Sequence, residues 1–206
     1  MKGKFITLEG PDGSGKTTVS KIVFNKLQSE GYKVLLTREP GGIDIAEQIR
    51  NIILDTKNIA MEARTEALLY AAARRQHLVE KVEPALKAGF IVICDRFVDS
   101  SLVYQGFGRG IGIDEVYQIN LFAIGDIIPD ATIFFDIPYE QGLARISKDD
   151  RVADRLDLES KDFHKKVYEG YMSICDKYAG RITKIDASKS IDDVVDQVIK
   201  VIKDKL

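Results

Sequence analysis

Residues Gly10-Pro11-Asp12-Gly13-Ser14-Gly15-Lys16-Thr17 spell G-x-x-x-x-G-K-[ST] directly behind the apolar run Phe5 to Leu8. Such a loop needs glycines because backbone N–H groups must curl around phosphate oxygens, and a Cβ would obstruct that approach. Lys16 then reaches the β/γ-phosphates and Thr17 offers a hydroxyl to Mg²⁺. The letters alone also fit a plain glycine-rich turn before a helix. Here a strand pattern precedes them and an amphipathic run follows, which is the context a phosphate-binding loop requires. On this reading the nucleotide-binding residues run from Gly10 to Thr18.

The rest of the chain repeats the strand-then-helix alternation. Short apolar runs predict strands at Lys4 to Glu9, Lys33 to Thr37, Phe90 to Asp95, Ala131 to Asp136 and Ile182 to Asp186. They lack polar alternation, as strands of a parallel sheet covered on both faces do. Helices are expected at about Lys16 to Glu30, Asp44 to Leu54, Glu62 to Ala88, Asp114 to Gly125, Tyr139 to Lys148, Ser160 to Ala179 and Ser190 to Lys205. The alternation predicts an α/β fold: a five-stranded parallel sheet flanked by helices in three layers. At 206 residues and 45% hydrophobic, one domain spanning 1–206 is expected.

Composition narrows the partners. A net charge of −2 argues against a long nucleic-acid footprint, so any phosphate must be gripped locally. Two cysteines, Cys94 and Cys175, are too few for a disulfide framework. No run approaches ~18 uninterrupted apolar residues, and no secretory leader pattern opens the chain, so a cytoplasmic protein without a membrane span is expected.

In open α/β sheets ligands bind outside the carboxyl ends of the strands. The first strand brings Asp12 there within its loop, and the second ends in Thr37-Arg38-Glu39-Pro40-Gly41-Gly42. The third ends in Asp95-Arg96, a carboxylate able to hold Mg²⁺ beside a guanidinium suited to bidentate phosphate contact. Asp136, at the end of the fourth, competes for the metal role and reads better as a carboxylate bonded to a neighbouring turn. Tyr70 and Arg74 lie four apart on one helix, so a ring and a guanidinium share a face that could stack and read a base. The alternative, which the residues alone favour, is a core tyrosine with Arg74 in a surface ion pair. His77 and His164 sit in helical surface patterns and receive no role. The charged run Lys148 to Asp157, with Arg151 and Arg155 four apart, is either a solvated face or a lid at about 148–158.

Taken together these residues resemble the thymidylate kinases, nucleoside-monophosphate kinases of the P-loop class. The most specific element is Asp95-Arg96-Phe97-Val98-Asp99-Ser100-Ser101-Leu102-Val103-Tyr104-Gln105-Gly106. The second-strand motif and the Tyr70–Arg74 helix match as well, and the likeness covers essentially the whole chain. It implies ATP-dependent phosphorylation of dTMP to dTDP with Mg²⁺, in a homodimer. Lys16 and the loop amides would hold ATP phosphates, with Thr17 and Asp95 on the metal side. Asp12 would lie near the acceptor sugar, and Arg38, Arg96 and, more weakly, Arg50 would grip the acceptor phosphate. Tyr70 would stack on thymine, Arg74 would approach its O4, and Ser101, Tyr104 and Gln105 would line the pocket. The family's usual aromatic at Tyr70 is phenylalanine. Gly13 stands where some members carry a loop arginine, which moves the expected catalytic arginine to Arg151 or Arg155, alongside Lys16 and Arg96. A small kinase acting on another monophosphate or on a nucleoside is the rival reading, and a nucleotide-driven switch the more distant one.

Overall fold

The five expected strands form one parallel sheet. A computed structural model describes residues 3–147 and 154–206. In it the strands are β1 (Lys4–Glu9), β2 (Val34–Arg38), β3 (Ile91–Asp95), β4 (Ala131–Asp136) and β5 (Ile182–Asp186). Their order is β2-β3-β1-β4-β5, so β1 is central and pairs in parallel with β3 on one side and β4 on the other. The connection from β1 runs to β2 on one side and the connection from β3 crosses to β4 on the other, so the strand order reverses beside β1 and opens a crevice at its carboxyl end, where the phosphate loop lies.

Side-chain alternation along the strands builds two cores. Ile6, Ile93, Ile133 and Phe135 face α1 (Lys16–Ser29) and α9 (Ile191–Lys203), which contribute Val19, Val23, Leu27, Val195, Val198 and Ile202. Phe5, Val92 and Cys94 face the opposite layer, among Leu78, Phe97, Leu102, Val116 and Ile124. Phe134 faces that layer further along, among Tyr104, Phe163, Val167 and Tyr171. Both faces are buried, which is why the strand patterns carry no polar period.

The remaining helices are α2 (Asp44–Leu54), α3 (Ala63–His77), α4 (Glu83–Lys87), α5 (Val98–Ser101), α6 (Ile113–Ile124), α7 (Tyr139–Ile146) and α8 (Lys161–Lys177). Two departures from the sequence reading stand out. The expected continuous helix from Glu62 to Ala88 contains a π-helical stretch at Leu78–Val82, between α3 and a short α4 that holds Pro84, a residue with no N–H to donate. The segment after β3 is also helical, as α5 followed by a π-helical stretch at Leu102–Gly108. Its polar residues point at one another and at the site, so it has no apolar 3.6 period to detect. The last helix starts as its sequence predicts, with Ser190 Oγ accepting from the Asp193 N–H at 3.2 Å.

Phe134 is fully buried and stacks on Tyr171 at 5.0 Å between centroids, so it joins β4 to α8. Phe134→Ala is expected to cost about 3–5 kcal/mol in urea denaturation; a loss below about 1 kcal/mol would show that this layer does not depend on it.

Candidate active site

The phosphate loop closes on itself through its lysine. Lys16 Nζ donates to Gly10 O (2.9 Å), Pro11 O (2.9 Å) and Ser14 Oγ (3.0 Å). Burial, with Arg96 nearby, lowers its ammonium to about 8. Gly10 and Pro11 thus serve the lysine through their carbonyls, while Asp12 to Thr18 line a cavity of about 600 Å³. Gly13 has a steric reason to be glycine. Its φ is +73°, and a Cβ there would meet Gly142 O at 2.1 Å, because α7 packs its own glycine against the loop backbone. The absence of a loop arginine at Gly13 is therefore enforced by the approach of α7.

β3 delivers the charged centre. Arg96 is the one non-glycine residue with positive φ among the described residues, at 70°, a conformation that bulky side chains adopt only when their surroundings hold it. Its N–H donates to Leu8 O on the neighbouring strand at 2.9 Å. Its Nη1 donates to Gly10 O (3.1 Å), Ser100 Oγ (3.1 Å) and Tyr171 Oη (3.3 Å), and its Nη2 pairs with Asp12 Oδ1. Tyr104 Oη donates to Asp12 Oδ2 at 2.8 Å. Burial alone would raise the Asp12 carboxyl, but Arg96, Lys16 and the Tyr104 hydroxyl override it and hold it at about 2.

Beneath this pair lies Glu9, 1% exposed, which accepts from Phe97 N (2.7 Å), Ser100 N (3.2 Å), Ser100 Oγ (2.5 Å) and Tyr171 Oη (3.0 Å). Burial and the charge of Asp99 raise its carboxyl to about 7. Thr17 Oγ1 donates to Asp95 Oδ2 at 2.7 Å, placing two hard oxygen donors at the loop's edge, a set that fits Mg²⁺. Asp136 is bonded elsewhere, to the Tyr168 hydroxyl (3.0 Å) and Lys184 (3.4 Å). These side-chain partners replace the backbone turn expected for it.

The acceptor-side residues converge on the same cavity. Arg38, Arg50, Tyr70, Arg74, Ser101, Tyr104 and Gln105 all line it. Arg38 and Arg50 each donate to Pro40 O at 3.0 Å, and Arg38 also pairs with Glu47 at 2.9 Å. Arg74 is buried rather than on the surface. It pairs with Glu39 at 2.7 Å, donates to Ser101 Oγ at 3.1 Å and bonds Asn120 Oδ1.

Arg155 is held by partners within the protein. Expected to carry charge to the transferring phosphate, it is 6% exposed, with Nε donating to Ile53 O at 2.7 Å and Nη2 paired with buried Glu66. Its guanidinium shares Glu66 with Arg109, so the buried carboxylate is offset by two cations. Arg151 and most of the expected lid fall outside the described residues.

The sequence reading missed Glu9, Glu39, Glu66, Asn120, Tyr171 and Arg145. Glu66, one turn before Tyr70, could have been found by the same four-residue spacing. Arg145 lines the cavity, with Nη1 3.5 Å from Gly13 O and Nη2 3.4 Å from Ala187 O, so α7 brings a guanidinium to the loop from outside the expected lid.

A glycine-rich loop at the end of the central strand of a parallel sheet, with lysine, threonine and strand-end aspartate around it, defines the P-loop class of nucleotide-binding α/β proteins. The family model for thymidylate kinase matches residues 8–198, and the chain belongs to that family. It is 59% identical to a thymidylate kinase of Bacillus velezensis over 207 residues, covering all of this chain and 98% of that one. It is also 59% identical to one of Clostridium novyi over 198 residues, 96% of this chain and 97% of that one. The crystal structure of an Ehrlichia chaffeensis thymidylate kinase superposes with a TM-score of 0.79 at 36% identity, covering 98% of this chain and 99% of that one.

The Asp12 carboxyl lies at about 2 when folded against 3.8 unfolded, so its stabilisation is present above pH 3.8 and lost as pH falls toward 2. Asp12→Asn should destabilise the protein by on the order of 2 kcal/mol at pH 7, with the gap from wild type narrowing below about pH 4 in urea titrations. A gap independent of pH would mean that the ion pair does not carry the effect.

Proposed function

We infer that this chain transfers the γ-phosphoryl group of ATP to dTMP, forming dTDP, at the cavity between the phosphate loop and the end of β3. The observation that carries the reading is the placing of two phosphate sites against each other: the loop with Lys16 on one side and Arg38, Arg50 and Arg96 on the other. Phosphoryl transfer needs two phosphates held in line with their charge offset and water kept away, and little covalent help from the protein. The acceptor oxygen of a monophosphate is largely ionised at neutral pH, since its second pKa is about 6, so no general base is required. That suits a site whose carboxylates are already paired with arginines.

Lys16 and the loop amides bind the donor phosphates, and Arg96, with Arg38 and Arg50, binds the acceptor phosphate. Tyr70 packs on the base, Arg74 and Gln105 read its edge with Ser101, and Asp12 with Tyr104 borders the sugar. Thr17 and Asp95 would hold Mg²⁺, which when bound offsets charge on the donor phosphates. Arg145 adds a guanidinium beside the loop.

We further propose that the 1–206 chain works as one domain, in the cytoplasm, as a homodimer. Supporting the last point, α2 packs on α3 and α3 on α6, and this layer exposes Ile45, Ile52, Leu68, Val79 and Phe122, the last 93% exposed. No helix among the described residues is long and apolar enough to cross a membrane.

A panel of dTMP, dUMP, dCMP, AMP and GMP with ATP and Mg²⁺ should show dTDP as the preferred product and negligible ATP consumption without acceptor. Preferred turnover of another monophosphate would overturn the substrate, and acceptor-independent hydrolysis would favour a switch. Phe122→Glu should shift the protein from dimer to monomer in sedimentation; an unchanged mass would remove this face from the interface.

A further inference from the structure

The sequence reading gave His77 no role, yet its ring is 0% exposed and bonded at both nitrogens. Nδ1 lies 2.9 Å from Glu39 Oε1 and Nε2 lies 2.7 Å from Thr37 Oγ1. Glu39 in turn holds Arg74 through its other oxygen, Oε2 to Nε at 2.7 Å. A three-residue chain thus runs from β2 through α3 back to the arginine of the base pocket.

The hydrogens decide what this chain does. A carboxylate paired with an arginine only accepts, so the His77 proton facing Glu39 is on Nδ1, while Nε2 bonds the Thr37 hydroxyl. Arg74 has five N–H groups. Nε–H is committed to Glu39, and the two on Nη1 to Ser101 Oγ and Asn120 Oδ1. The Nη2 edge is what remains for the cavity, and it presents donors only. Rotation of Glu39 would release Nε and let the guanidinium swing on its stem.

We propose that His77 is a positioning residue for base selectivity. By fixing Glu39 it holds Arg74 with a pure donor edge toward the acceptor base, favouring a carbonyl at C4 over an amino group. This rests on the reading that Arg74 faces the base. Gly42 permits the arrangement, since a Cβ there would meet Thr37 Oγ1 at 2.8 Å and His77 Cδ2 at 3.2 Å. Phe97 closes the other side, 5.2 Å from the Arg74 guanidinium carbon.

The test compares kcat/KM for dTMP with that for dCMP in wild type, His77→Asn, His77→Gln and Arg74→Lys. Asparagine keeps a donor at the Nδ1 position, whereas glutamine reaches only toward Thr37. His77→Gln should lower the dTMP/dCMP ratio by about tenfold and leave KM for ATP within about twofold, with His77→Asn restoring most of the ratio. Equal effects of His77→Gln on ATP and dTMP parameters, or an unchanged ratio in a folded variant, would overturn the inference while Arg74→Lys still lowers the ratio. An unchanged ratio in Arg74→Lys would remove the base reading and the inference with it. If the histidine variants do not fold, the ring ¹⁵N shifts of wild-type His77 decide. A proton on Nδ1, with and without dTMP, is expected, and a proton on Nε2 alone contradicts the chain.

Discussion

The pairing of Arg96 with Asp12 is the contact on which the site depends. Asp12 belongs to the phosphate loop of β1 and Arg96 to the end of β3, so one ion pair ties the donor half of the site to the acceptor half. The pair is partly shielded from water, with side-chain exposures of 18% and 26%, so it is screened less than a surface pair. Arg96 reaches it only by adopting a left-handed backbone, and that strain is held by the Leu8 carbonyl and by Glu9, Ser100 and Tyr171 beneath. A buried charge without partners would be costly, and here each is given several.

The same principle recurs outward. Glu39 is answered by Arg74 and His77, Glu66 by Arg109 and Arg155 with Gln105, and Asp99 by Arg181. Of the carboxylates that line the cavity, Glu39 and Asp12 are paired with Arg74 and Arg96, and Asp95 lies beside Thr17. The paired carboxylates thus support the cations that meet phosphate, while Asp95 stays beside the phosphate loop. That division suits two phosphorylated substrates and disfavours a neutral acceptor that needs a base.

How much of this could be read from the sequence follows from periodicity and punctuation. The strands, doubly covered and apolar, were legible from runs such as Ile91-Val92-Ile93-Cys94, as were the residues at their carboxyl ends, because in a parallel sheet all those ends lie along one edge. The burial of Arg155 was not legible because a charge run gives no sign of it: its partner Glu66 is 89 residues away in the chain. The helical segment after β3 was hidden for another reason: its buried Val98, Leu102 and Val103 are interspersed with equally buried polar residues, Asp99, Ser100, Ser101 and Gln105, which blurs the apolar period. Gly13 was read for the charge it lacks, whereas the contact with Gly142 was invisible until α7 had a place. Tyr171 and Asn120 matter only through partners distant in the chain, and no local pattern marks them.

The most direct test of the account is a double-mutant cycle on kcat/KM for dTMP with Asp12→Asn, Arg96→Lys and both together. If the pair acts as one unit, each single change lowers the constant strongly and the double change adds little, giving a coupling of about 1.5 kcal/mol or more. Additive losses, with coupling below about 0.5 kcal/mol, would show that the two halves of the site are held independently and would contradict the account.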